Sequence, residues 1–69
     1  MRNIRLYAGT IGSFYETIDV DGYRGWLTND ATDKVYKILR VMNSSIPLHK
    51  GDSVTYSLNN KKEAINVTI

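Results

Sequence analysis

The sequence predicts an all-β domain: five antiparallel strands folded into a small Greek-key barrel. Three observations carry this reading. Isoleucine, valine, tyrosine and threonine dominate, and helix formers are few. Apolar residues recur with a period of two, whereas no 3.6-residue period lasts beyond a turn or two. Turn-forming Gly, Asn and Asp residues separate the apolar runs at short intervals.

The elements follow in order. Residues 4–15 read as a long first strand, with Ile4, Leu6, Ala8 and Thr10 on one phase and Arg5, Tyr7, Gly9 and Ile11 on the other. The phase breaks around Ala8-Gly9, where a glycine allows the bend a small barrel needs. Residues 20–28 hold a second strand, marked by Asp21-Gly22 and weighted by Trp26 and Leu27. The polar stretch 29–33 is a turn. Residues 34–41 form a third strand, or a strand passing into one helical turn, and 42–47 connect. Ile46 is extended because Pro47 follows it. The last third is a hairpin. Leu48, Val54, Tyr56 and Leu58 alternate with polar residues. Lys50-Gly51-Asp52 supplies the turn that starts it, and Asn59-Asn60-Lys61-Lys62 the reversal before the strand at 63–69.

Sixty-nine residues make one domain. A chain this short buries only about 60% of its unfolded surface. It has no cysteine, so neither a disulfide nor a thiolate metal site can help, and a reducing compartment fits. The single histidine, His49, makes no zinc site alone. No stretch approaches the ~20 apolar residues of a membrane span, and the N-terminal residues lack the apolar core of a signal peptide. A cytoplasmic location is expected. Asn43-Ser44-Ser45 and Asn66-Val67-Thr68 fit the glycosylation pattern but carry no weight without a secretory signal.

The net charge of +2 is unevenly placed. Arg2 and Arg5 give the first fifteen residues +2. Glu16, Asp19, Asp21, Asp30 and Asp33 against Arg24 make residues 16–33 −4. Lys34, Lys37, Arg40, Lys50, Lys61 and Lys62 against Asp52 and Glu63 make the remainder +4. The basic half fits a polyanion partner, and a solvated surface with no partner is the bland alternative. The acidic segment would oppose a phosphate backbone wherever it faced one.

The order Leu48-His49-Lys50-Gly51-Asp52-Ser53-Val54-Thr55-Tyr56, then Ala64-Ile65-Asn66-Val67, resembles the closing hairpin of cold-shock domains. These are five-stranded OB-fold barrels that bind single-stranded nucleic acid. The family opens with Gly-x-Val-Lys-Trp-Phe. Gly9-Thr10-Ile11-Gly12-Ser13-Phe14 stands in that place, with Gly12 for the lysine and Ser13 for the tryptophan. Gly25-Trp26-Leu27 matches the end of the family's Gly-Phe/Tyr-Gly-Phe-Ile. Its first aromatic is either Tyr23, displaced by one residue, or replaced by Arg24. Val35-Tyr36-Lys37-Ile38-Leu39 is the nearest run to Val-Phe-Val-His-Phe and lacks the histidine.

The resemblance implies base stacking on outward aromatics beside basic residues. Trp26, Phe14, Tyr23 and Tyr36 are then the stacking rings. Arg5, Arg24, Lys34 and Lys37 meet phosphates, and Arg24 can also stack through its guanidinium plane. Tyr7 and Tyr15 are supplementary rings. Each has a bland alternative: core positions for Trp26 and Phe14, a turn ring for Tyr23, and edge-strand solubility for Lys34, Lys37 and Arg40. Tyr36 faces the ligand if Val35 points inward, and a one-residue slip reverses that. Tyr56 reads as core. His49, Lys50, Lys61 and Lys62 read as solvated loop residues.

An enzyme is not expected. General-base or nucleophilic chemistry needs a base positioned by a second group. With one histidine, no cysteine, no Gly-x-Ser-x-Gly and no phosphate-cradling loop, the chain offers none. Asp19, Asp21, Asp30 and Asp33 lack the spacing of a calcium loop. No cofactor is implied. The expected function is binding of single-stranded RNA or DNA with low sequence specificity, by a monomer or a weak homodimer paired through a strand edge. The alternative is a protein-interaction module on the same barrel, with its nucleic-acid face reused.

Overall fold

The computed structural model describes residues 5–18 and 22–69. It is all-β: β1 (Tyr7–Glu16), β2 (Tyr23–Asn29), β3 (Val35–Lys37), β4 (Ser53–Leu58) and β5 (Ala64–Thr68), with a short 3₁₀ turn at Asn43–Ser45. They form one five-stranded antiparallel sheet in the order β3-β2-β1-β4-β5. The expected starts at Ile4 and Val20 lie outside the described residues.

The third strand is shorter than the sequence suggests. After Lys37 the chain leaves β2 and crosses to β5. The Ile38 N–H still bonds the Gly25 carbonyl at 3.0 Å, but the Leu39 N–H bonds the Ala64 carbonyl at 2.8 Å. Parallel bridges Ile38–Ala64 and Val41–Val67 complete the transfer. The sheet therefore curls until its two edges share one segment, without closing into a continuous ladder.

The core lies inside this curl. Ile11, Leu27, Ile38, Val41, Leu48, Val54, Tyr56, Ala64 and Val67 fill it, with Tyr7, Phe14, Tyr23 and Tyr36 packed at its margin. Gly9 is small because Tyr56 lies beneath it. A Cβ there would fall 2.9 Å from the Thr28 carbonyl oxygen and 3.0 Å from Tyr56 Cε1.

The phase break of β1 falls at Gly12 rather than at Ala8-Gly9. Ile11 pairs with Leu27 and Ser13 with Trp26, so Gly12 is an extra residue, a β-bulge. A second bulge falls in β5, where the register slips between Thr55 and Ser57 and Asn66 takes the left-handed conformation with φ 53°. Asparagine tolerates that region better than most residues.

The closing hairpin follows its turn chemistry. Gly51, at φ 92°, turns the chain, and the Asp52 N–H bonds the His49 carbonyl at 3.0 Å. Asn59 Oδ1 accepts from the Lys61 and Glu63 N–H groups at 3.0 and 2.8 Å. Ile46 is extended, at φ −84° and ψ 135°. Among the described residues no helix is long and apolar enough to cross a membrane.

Tyr56 joins four strands. It is fully buried on β4, its ring lies 5.5 Å from Tyr7 of β1 and 6.0 Å from Tyr36 of β3, and its hydroxyl accepts from Asn29 Nδ2 of β2 at 2.7 Å. Burial pushes its phenol above the usual 10.0, with the Asn29 hydrogen bond pulling the other way. The folded state thus holds this proton more tightly than the unfolded state does. The contribution of Tyr56 to stability is therefore fully present below pH ~10 and is lost as pH rises through the folded value. Tyr56→Phe strands Asn29 Nδ2 and should cost about 1–2 kcal/mol in urea unfolding at pH 7. The gap between wild type and variant should shrink above pH ~10. A gap constant to pH 11 would contradict this assignment.

Candidate nucleic-acid interface

Strand register sorts the side chains onto two faces. Ile11, Leu27 and Tyr36 point into the core, so their ladder neighbours Thr28, Val35 and Lys37 point out. Past the bulge the phase of β1 reverses. Ser13 pairs with Trp26 and Tyr15 with Arg24 on the outer face, while Phe14 pairs with Gly25 and turns inward.

Trp26 is the centre of the outer face. The residue is 48% exposed, with Ser13 opposite on β1 and Lys37 opposite on β3. Directly opposed residues on one face stand about 4.5–5.5 Å apart at Cβ, so the Lys37 stem and the indole are neighbours. Tyr15, 54% exposed, and Arg24 form the next pair towards the start of β2. Val35, 60% exposed, lies beyond Lys37 on the same face.

The bulge gives the indole its seat. A Cβ built on Gly12 falls 2.7 Å from Trp26 Nε1 and 2.9 Å from Cδ1. The indole therefore lies against the bare backbone of Gly12 and shows solvent its other side. Gly25 serves from beneath, where any Cβ would strike the Ser13 carbonyl oxygen.

The electrostatics are graded along the face. Lys37 Nζ lies 4.0 Å from Glu63 Oε2, with the lysine side chain 57% exposed. Such an exposed pair is worth at most about 1 kcal/mol, so Glu63 holds Lys37 only loosely. Asp30 sits at the far end, accepting from Thr10 Oγ1 at 2.8 Å. This carboxylate bounds the basic region.

Of the residues singled out in the sequence, Trp26, Arg24 and Lys37 meet on one exposed face. Phe14, Tyr23 and Tyr36 do not join them. Phe14 and Tyr23 pack together on the inner side, ring centroids 5.5 Å apart. The Tyr23 hydroxyl accepts from the Val41 N–H at 2.8 Å. Tyr36 is drawn inward onto Tyr56, with Val35 outside, the reverse of the register that would make it a platform. Arg5 is exposed before β1, at the end opposite Tyr15, and Lys34 stands in the β2–β3 turn beyond the ladder. Of the supplementary rings, Tyr15 faces out and Tyr7 stacks on Tyr56. Gly12 was missed. The sequence shows the glycine but not the bulge at which it sits.

His49 is a surface residue, its Nδ1 3.8 Å from Asp52 Oδ2 with 76% of the side chain exposed. Among the described residues no group of three or more His, Cys, Asp or Glu could hold a metal ion, and Asp19 and Asp21 lie outside them. The chain matches no protein-family model, no curated protein and no solved structure.

Gly12→Ala tests the seat. The backbone at residue 12 is not left-handed, and the exposed indole can swing aside, so stability should change by less than about 1 kcal/mol. The emission of Trp26, the sole tryptophan, should shift to longer wavelength as the ring lifts from the strand. An unchanged spectrum would refute the seat.

Proposed function

We propose that this domain binds single-stranded nucleic acid, RNA or DNA, with low sequence specificity. The observation that carries the reading is the half-exposed Trp26 indole, seated on Gly12, with Lys37 as its cross-strand neighbour. A base stacks on the solvent side of the indole and a second on Tyr15. Lys37 and Arg24 take the phosphates on either side. Stacking is tolerant of sequence because every base has a π-face, and each stacked base is worth about 1–3 kcal/mol. Two rings and two cations make a weaker site than a full set of platforms, so affinity is modest.

The same reading includes a finer view of the fold, an open Greek-key barrel of the OB type and a divergent relative of cold-shock domains. The sheet order and the parallel contact between the end of the third strand and β5 support it. On this view the chain is a binding module rather than an enzyme, acts in the cytoplasm and needs no cofactor. A protein partner on the same face is the second reading. Val35, apolar and exposed beside the aromatic residues, favours it.

Titration of Trp26 fluorescence with a short oligo-pyrimidine strand separates the two. Strong quenching is expected at low salt. Affinity should fall with salt by about 0.7 log units per phosphate contact per log of salt. With two contacts the slope is about −1.4, and Lys37→Ala should halve it. Trp26→Ala, followed by calorimetry, should weaken binding about 10- to 100-fold. Absence of any binding at low salt would refute the proposal and turn attention to a protein ligand.

A further inference from the structure

A cleft of about 530 Å³ opens at the start of β2, lined by Tyr23, Arg40, Met42, Asn43, Ser44 and Asn66. Its walls are fixed by backbone bonds. The Val41 N–H reaches the Tyr23 hydroxyl at 2.8 Å on one side. On the other, the Met42 N–H bonds the Val67 carbonyl at 2.9 Å and the Val67 N–H bonds the Arg40 carbonyl at 3.1 Å. The β5 bulge sets Asn66 into the wall.

The chemistry of the cleft is specific. Beside the Tyr23 phenol it holds the Arg40 guanidinium, the Asn43 and Asn66 carboxamides and the Ser44 hydroxyl, and among its described lining residues there is no carboxylate. None of these four side chains is bonded to another described residue, so their donors and acceptors are open to a ligand. A carboxamide pairs with the donor-acceptor edge of a nucleobase, and a guanidinium fits a phosphate bidentately. Tyr23 and Met42 supply the apolar flanks of a ring-binding slot. The volume falls in the range of small-molecule sites.

We infer that this cleft binds one nucleotide, its base edge read by Asn43 and Asn66 and its phosphate held by Arg40. This rests on the single-strand reading above and adds to it. Tyr23 lies one ladder step past the Tyr15–Arg24 pair, about 10 Å along the strand from Trp26. Tyr23 points to the inner side of the sheet, so a strand stacked on Trp26 and Tyr15 enters the cleft by turning over the start of β2. The outer face then supplies sequence-tolerant affinity and the cleft supplies a preference for one base at one position.

The test is nuclear magnetic resonance of the labelled intact chain. It follows the Asn43 and Asn66 side-chain amides together with the Trp26 indole N–H. The probes are the four nucleoside 5′-monophosphates and short single strands of each base. The amides should move, and move most for one base. Movement with free monophosphates assigns the cleft to nucleotides as such, and movement with strands alone assigns it to a nucleotide of the bound strand. Arg40→Ala should weaken the amide response about tenfold. Asn66→Gly keeps the left-handed backbone and should erase the base preference while Trp26 quenching survives. Still amides with a responding indole would overturn the cleft and leave the single-strand reading standing. If neither signal moves with any probe, the single-strand reading fails and the cleft falls with it.

Discussion

The phenol of Tyr56 is the constraint on which the rest depends. It lies under Gly9, between the rings of Tyr7 and Tyr36, with Asn29 bonded to its hydroxyl. Asn29 in turn accepts from the Ala31 and Thr32 N–H groups at 2.8 and 3.0 Å and so shapes the β2–β3 turn. One buried side chain thus sets the length of that turn and draws Tyr36 inward. Since β3 is only three residues long, turning Tyr36 inward turns Val35 and Lys37 outward. The partner of Trp26 on the outer face is chosen from inside the core.

The other half of the face is set by Gly12. Strict alternation from Ile11 would send Phe14 out and Tyr15 in. The extra residue reverses this and leaves Ser13 and Tyr15 beside Trp26 and Arg24. It also supplies the bare backbone on which the indole rests. The aromatic residues therefore divide into two sets with different work. Tyr7, Phe14, Tyr23, Tyr36 and Tyr56 pack the core, and Tyr15 and Trp26 meet solvent.

Local chemistry was legible in the sequence. Gly51 and Asn59 mark turns that bend through their own backbone and side-chain bonds, so the closing hairpin could be read without its surroundings. The alternation of Leu48, Val54 and Tyr56 gave the core side of that hairpin for the same reason. The third strand was not legible. Val35-Tyr36-Lys37 offers an apolar residue on each phase, and only a contact from β4 decides between them. Gly9 was read as a bend when its smallness serves a close approach, and the true irregularity at Gly12 has no local signature. Of the candidate residues on β2, Arg24 and Trp26 take the outward phase, opposite Leu27, and Tyr23 takes the inward one. Phe14 and Tyr36 face the core because a bulge and a distant ring set their phase, and neither is visible in the residues themselves.

The crossing of residues 38–42 from β2 to β5 has a consequence for self-association. A sheet normally exposes two edges whose unpaired N–H and C=O groups template the addition of another chain. Here one edge, β5, is occupied by the chain's own crossing segment, bonded at Ala64 and Val67. The other is the three-residue β3, preceded by Lys34 and ending in Lys37, too short and too charged to seed a ladder. The path that closes the core thus also blunts both ends of the sheet, protecting a strand-rich, disulfide-free chain from fibril-like stacking.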